Sequence, residues 1–281
     1  MTESHDNDLH GLVPANQVDP LGGYMRGLWH RRDYIVQVPL NELRVEQANT
    51  LLGNAWLIIN PVLSVSVYYL VFGIILDVSR GVDDYIAFLT IGVFTFLYSN
   101  RMITNGAKSV SASIGLVRAI RFPRAVLPLS TAVASAIRFA PNFLVMLATV
   151  LAFGNFPDLR WLALAPIFLL QSLFSLGGSF FVARLNHLYA DMENTLPFLF
   201  RLLFYMSGVL YSVDRFVDHG GWRSAFALNP LYDYLTLWRW ALLGTPIAGW
   251  AIIGALVWAI VTPVAGFIFF RSGEAGYGRA S

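Results

Sequence analysis

The sequence predicts an all-α integral membrane protein. It should have six transmembrane helices, an N-terminal amphipathic interface helix, and a re-entrant segment between spans five and six. Two observations carry this expectation. Of 281 residues, 56% are hydrophobic and only 13% are charged, against about 25% charged in an ordinary soluble domain. So few charges cannot cover so much apolar surface in water. The apolar residues also gather into six stretches, each near the ~20 residues that a bilayer span requires.

In chain order, residues 1–23 are polar and contain Pro14, Pro20 and Gly22-Gly23. They read as a flexible cytoplasmic tail without the apolar core of a signal peptide. Residues 24–53 form an amphipathic interface segment. From Pro39, apolar Leu40, Leu43, Ala48, Leu51 and Leu52 alternate with Asn41, Glu42, Arg44, Glu46 and Gln47. Such a helix is too polar to span and suits the interface plane, although a solvated connector is also compatible. Residues 54–272 hold the spans: Asn54–Leu76, Tyr85–Thr104, Pro128–Phe153, Trp161–Arg184, Leu196–Val213 and Pro246–Phe270. The connection Asp214–Thr245 carries a shorter apolar stretch broken by Asn229-Pro230, Asp233 and Arg239. That pattern fits a re-entrant or interfacial helix pair. Residues 273–281 form a second cytoplasmic tail. With the N-terminus inside, eleven basic residues are cytoplasmic, and five (Arg80, Arg160, Arg215, Arg223, Arg239) are outside. The positive-inside rule then places both termini in the cytoplasm of an inner, or plasma, membrane.

Several chemistries are excluded. There is no cysteine, hence no disulfide framework or thiolate site. A net charge of +2 does not suggest a nucleic-acid partner. Lys108 is the single lysine, and it follows Ala107 with Met102 five residues before that. A P-loop needs Gly at both places. If ATP drives this protein, another chain binds the ATP and its Mg. No cofactor, metal or catalytic set is expected here. Asp77, Asp83 and Asp84, and separately His187, Asp191 and Glu193, form small acidic groups that read best as solvated helix ends. A membrane-embedded transferase is the remote alternative.

The spans are not uniformly greasy. On a helical wheel of the fifth, Phe200, Arg201, Phe204, Ser207, Gly208 and Tyr211 share one side, and Leu199, Leu202, Leu203, Met206, Val209 and Leu210 the other. Aromatic rings can stack on the C–H faces of sugars, and a smooth aromatic wall lets a polymer slide. In the third span Thr131, Ser135, Arg138, Asn142 and Thr149 form a stripe, which is either packing glue or the wall of a wet cavity. In the first, Pro61, Ser64, Tyr68 and Phe72 share a face. The loop after the second span interleaves Ile114, Leu116, Val117, Ile120 and Phe122 with Arg118, Arg121 and Arg124 before Pro123 can end its helix. This basic amphipathic element could bind anionic lipid or a cytoplasmic protein.

The order of these pieces resembles a family. Leu52-Gly53 with Trp56 and Pro61 opens the first span. Leu116-Val117-Arg118-Ala119-Ile120-Arg121-Phe122-Pro123-Arg124 lies in the cytoplasmic loop, followed by Pro128. Asp191 precedes the fifth span, which ends in Ser207-Gly208-Val209-Leu210-Tyr211. Leu228-Asn229-Pro230-Leu231 and Arg239 follow. Over about residues 30–272 the chain looks like the membrane subunit of an ABC-2 type polysaccharide exporter, of the Wzm-like kind that moves O-antigen or cell-wall polysaccharide.

That resemblance implies a homodimer paired with two copies of a separate Wzt-like ATPase. It implies a coupling helix at Ile114, Leu116, Val117, Arg118, Ile120 and Arg121, and periplasmic gate helices carrying Trp222, Asn229, Pro230, Tyr232, Trp238 and Arg239. It implies a channel lined by Tyr68, Phe72, Phe200, Phe204, Ser207 and Tyr211 together with Arg201 and Arg138. The cargo would be a polysaccharide on a polyprenyl-pyrophosphate carrier. Teichoic acid, capsule or a drug-like amphiphile is the alternative. Arg31, Arg32 and Arg44 could hold the pyrophosphate or anchor to anionic membrane lipids. The preference for arginine over lysine suggests a GC-rich genome and, with the resemblance, an actinobacterial, mycobacterial-type galactan exporter.

Overall fold

The structure, a computed structural model, describes residues 20–47, 53–76, 84–120, 122–189, 191–213 and 228–277, with positions 78, 82 and 226. Every regular element among the described residues is a helix. Helix α1 covers Leu21–His30 and α2 covers Arg32–Gln47. Helix α3, Trp56–Tyr68, continues through a π-helical stretch, Tyr69–Ile75. Helix α4 is Tyr85–Ala112, α5 Ile114–Ala119 and α6 Val126–Ala152. A 3₁₀ segment, Leu159–Ala163, leads into α7, Leu164–Leu188. Helix α8 is Met192–Met206, α9 Pro230–Leu243 and α10 Gly249–Ser272.

Five helical segments are long and apolar enough to cross a membrane: Trp56–Ile75, Tyr85–Ala112, Val126–Ala152, Leu159–Leu188 and Gly249–Ser272. They match five of the predicted stretches. The remaining one, expected over Leu196–Val213, differs. Helix α8 has 15 residues and rises about 22 Å, short of the ~30 Å hydrocarbon thickness. It stops because Gly208 adopts φ +61, a left-handed conformation that ends helices.

Helix α4 is the axis of the bundle. All ten positions from Ala87 to Phe96 are buried, because α6, α7, α8 and α9 all pack on it. Its two small-residue sites permit close approach. A side chain at Gly92 would meet Val209 O at 2.7 Å, and one at Gly106 would overlap Ser179. Gln171 of α7 ties this core together. Its Nε2 donates to Thr95 O at 2.8 Å and Ser99 Oγ at 2.9 Å, and its Oε1 accepts from Trp238 Nε1 at 2.7 Å. Buried polar groups demand such partners.

At the α5 end of the bundle, Tyr24, Leu28, Val117, Phe180, Phe270 and Tyr277 belong to a second apolar cluster. The chain near both termini packs into this cluster. Helix α1 begins at Leu21 rather than beyond residue 23, because the Tyr24 ring is buried and its hydroxyl accepts from Ala125 N at 3.1 Å. Helix α2 begins at Arg32 and runs through Pro39, where the amphipathic helix was expected to start, and it packs along α6. Beyond α10, the chain folds back through Glu274–Gly276, and the Tyr277 hydroxyl donates to Phe270 O at 2.7 Å. The expected tails at residues 1–19 and 278–281 lie outside the described residues.

Candidate functional site

Helices α3, α4 and α8 enclose a cleft of about 460 Å³. One wall is aromatic. Phe204 lies 5.4 Å from the Tyr68 ring and 5.1 Å, edge-on, from Phe96, which also meets Phe200 at 6.3 Å. Residues four apart share a helix face, so Phe200 and Phe204 point the same way from α8. The other wall is polar and comes from α4: Asn100, Arg101, Thr104 and Asn105. Thr104 Oγ1 donates to Asn100 Oδ1 at 3.0 Å. Arg201 enters from α8, its guanidinium 5.8 Å from the Phe198 ring. Among the described residues no carboxylate lines the cleft. Lys108 and Glu193, an ion pair at 2.6 Å, join the ends of α4 and α8 beside it. Asn105 also lines a smaller cavity, about 220 Å³, between α2, α4 and α6, together with Lys108, Ser130 and Thr131.

Of the residues expected to line a channel, Tyr68, Phe200, Phe204 and Arg201 meet in this cleft. Four others do not line it. Phe72 packs against the main apolar core. Ser207 is buried, donating to Leu203 O at 2.6 Å and accepting from Asn229 Nδ2 at 2.9 Å. Tyr211 donates to Tyr205 O at 2.9 Å. Arg138 is half-buried on α6, close enough to Arg101 for the two cations to interact. The hydroxyls of Thr131, Ser135 and Thr149 on that stripe bond to their own helix backbone. On α8 the greasy side is exposed at Leu199, Leu202 and Met206, as its wheel requires, but Val209 and Leu210 are buried because the helix has already ended. Sequence reasoning missed the α4 contribution. Phe96, Asn100 and Thr104 recur every four residues, a stripe that was legible but hidden in a span apolar enough to read as uniform.

The connection after α8 holds the charged site of the core. Arg239 Nη1 donates to Gly208 O and Nη2 to Val209 O, both at 2.9 Å, and Tyr85 OH donates to Leu210 O at 2.8 Å. The same guanidinium lies 3.4 Å from the centre of the Phe88 ring. Three successive carbonyls where the chain leaves α8 are therefore satisfied by side chains of α9 and α4. Asn229 caps α9 through Leu231 N at 3.1 Å, and Pro230 takes the first helical position, where a missing N–H costs nothing. Tyr232 stacks on Trp250 at 5.9 Å. Where a helix pair was expected, α9 is one helix within the described residues, and most of its residues are buried. Trp222 lies outside the described residues.

At the opposite end, α5 buries Val117, half-buries Ile114 and Leu116, and exposes Arg118 and Ile120. The helix ends at Ala119, earlier than expected, because Ile120 is extended (φ −136, ψ 150). Arg121 lies outside the described residues. The strand of chain between α5 and α6 is held by Glu274, whose Oε1 accepts from Arg124 N at 2.7 Å. Burial pushes the Glu274 carboxyl above the ordinary glutamate range, and the Arg124 N–H and the Tyr24 hydroxyl pull partly against this. Of the acidic groups noted in the sequence, Asp84 accepts from Asn155 Nδ2 at 2.9 Å and Glu193 pairs with Lys108. Among the described residues no three His, Asp or Glu side chains gather as a metal site would require. Asp77 and Asp83 lie outside the described residues.

Residues 46–243 match the ABC-2 type transporter family. The chain is 29% identical over 208 residues to the O-antigen export system permease protein RfbA of Klebsiella pneumoniae, covering 74% of this chain and 79% of that one. It is 25% identical over 215 residues to the protein of the same name from Myxococcus xanthus, covering 76% and 82%. With the family match running through α3, the cleft helices and α9, this chain belongs to the ABC-2 type transporter family.

Proposed function

We propose that this chain is the membrane permease subunit of an ATP-driven exporter of lipid-linked polysaccharide. In this reading two copies form the pore in the plasma membrane, with both termini and α5 on the cytoplasmic side. Helix α8 with the Ser207–Val213 turn would serve as the sixth crossing. Two copies of a separate ATPase supply the energy, since this chain lacks a P-loop. O-antigen is the cargo named for the relatives, and cell-wall galactan is the closest chemical counterpart.

The observation that carries the reading is the cleft between α3, α4 and α8. Rings of Tyr68, Phe96, Phe200 and Phe204 line it together with the polar side chains of Asn100, Thr104 and Asn105. Pyranose and furanose rings have that same division: apolar C–H faces and hydroxyl edges. Arg101 and Arg201, with no carboxylate among the described residues that line the cleft, suit the phosphate-bearing end of a carrier lipid. Phe204→Ala should lower export about tenfold, equivalent to about 1.4 kcal/mol of lost ring contact. Lipid-linked polymer retained in the inner leaflet is the measurement, and ATP turnover of the assembled complex should persist. Tyr211→Ala should act more weakly, because Tyr211 lies outside the cleft. Equal export by wild type and Phe204→Ala would remove the cleft from the path.

Helix α5 suits a coupling role. Val117 anchors it to the bundle while Arg118 and Ile120 face outward. Arg118→Glu should reduce co-purification of the ATPase at least several-fold and leave the permease's own thermal stability unchanged. Full retention of the ATPase with undiminished turnover would assign the docking surface elsewhere.

A further inference from the structure

We infer that a phospholipid acyl chain occupies a slot between α6 and α7, and that it acts as a structural wedge behind α9. The slot has a volume of about 560 Å³, within the ~300–1,000 Å³ of ordinary ligand sites. Phe139 and Trp238, both buried, form its floor, and Phe143, Phe168 and Trp161 its sides. Its mouth opens at Ala140, Leu162 and Ala165, all exposed.

The polar atoms near this slot are turned away from it. The Trp238 indole N–H is spent on Gln171 Oε1. Tyr98, whose ring stacks on Phe168 and leans against Phe139, gives its hydroxyl to Ser172 at 2.6 Å. Water needs at least two polar partners to enter such a space, and none is offered. Sugar and headgroup are excluded for the same reason, so the occupant is a hydrocarbon. The source follows from the surroundings. Both flanking segments, Val126–Ala152 and Leu159–Leu188, are long and apolar enough to cross a bilayer, so the mouth opens where acyl chains lie. Immediately before Trp161, Asp158 and Arg160 form an exposed ion pair, and Arg160 holds the Asp158 carboxyl below its ordinary range. Adjacent in sequence to the Trp161 side wall, this neutral pair of fixed charges complements a zwitterionic headgroup.

The floor connects the lipid to the core. Trp238 belongs to α9, and through Gln171 it reaches Thr95 and Ser99 of α4. A chain seated on Trp238 therefore supports the contact on which α9 depends.

The test uses the full-length protein in nanodiscs of phosphatidylethanolamine carrying a diazirine in one acyl chain. After photolysis, peptides containing Phe139, Phe143 and Phe168 should be labelled at least fivefold above the α10 peptide containing Ile260, an exposed lipid-facing control. Ala140→Phe, which places a ring in the mouth, should remove that excess and leave the α10 label unchanged. Ala165→Phe is the second plug from the opposite wall, in case the first variant fails to fold. Labelling equal to that of α10, or an excess that both plugs leave intact, overturns the proposal. So does a crosslink across the slot to a second copy of the chain, which would make it a protomer interface.

Discussion

Arg239→Met is expected to destabilise the protein by about 2–5 kcal/mol. Arg239 is buried, and its guanidinium is the side-chain donor to Gly208 O and Val209 O among the described residues. Each carbonyl left unpaired in an apolar setting costs about 1–3 kcal/mol. The lost contact with Phe88 adds up to about 2 kcal/mol for a desolvated cation on a ring. Removing a buried cation returns some desolvation cost, and methionine fills much of the space, so the net falls below the sum. Arg239→Lys separates geometry from charge. An ammonium on a flexible stem lacks the planar fork that reaches both oxygens, so lysine should recover less than half of the loss. Thermal unfolding in detergent gives the stability. Limited proteolysis gives the place: cleavage should appear first within residues 207–213, where the chain leaves α8. A shift of less than about 0.5 kcal/mol, the scatter of neutral surface changes, would mean that water serves these carbonyls and that Arg239 is not their cap.

The structure explains which parts of this architecture were readable in the sequence. Span limits were legible because a bilayer demands length and apolarity in one continuous run. Helices α3, α4, α6, α7 and α10 therefore fall where hydropathy placed them. Helix α8 was not, because hydropathy does not register a single residue in the left-handed region. Leu196–Val213 is apolar apart from Arg201 and two serines, yet Gly208 turns the chain at φ +61. The aromatic pair Phe200 and Phe204 was legible by its four-residue spacing. Phe96 was not singled out, because it lies in the apolar first half of α4, Tyr85–Leu97, where one ring among many gives no contrast to a wheel. Arg239 was recognised as an outer residue, but its task depends on Gly92. That glycine leaves room for the guanidinium, since a Cβ there would meet Arg239 Nη2 at 2.7 Å. Contacts made 30 residues apart in sequence and across three helices carry no periodic signature.

Gly177→Ala should be severe while Gly178→Ala, one position along, should be nearly silent. Both glycines lie within α7, so both gain about 1 kcal/mol in helix propensity when replaced by alanine. Their surroundings decide the outcome. A Cβ on Gly177 would overlap the main chain of α10 at Thr262 and Pro263, and Gly266 of α10 is pressed against the Gly177 main chain in turn. Backbone cannot rotate out of the way, so α7 and α10 must separate along their length. Overpacking of this kind typically costs about 1–3 kcal/mol and occasionally more, and this pair forms the most extensive helix contact in the bundle. Without a hydrophobic drive between spans, close backbone packing is what holds them together, so even one methyl group is felt. A Cβ on Gly178 would meet Ile103 Cδ1 at 2.9 Å, the far end of a flexible side chain that can swing aside. The cysteine-free sequence makes the measurement clean. Phe181 and Phe269, whose rings lie 4.9 Å apart, can be replaced by cysteines that crosslink α7 to α10 without background. Crosslinking should fall at least fivefold when Gly177→Ala is added and stay unchanged with Gly178→Ala. Equal crosslinking and equal melting temperatures for the two variants would mean that α7 and α10 are not in backbone contact.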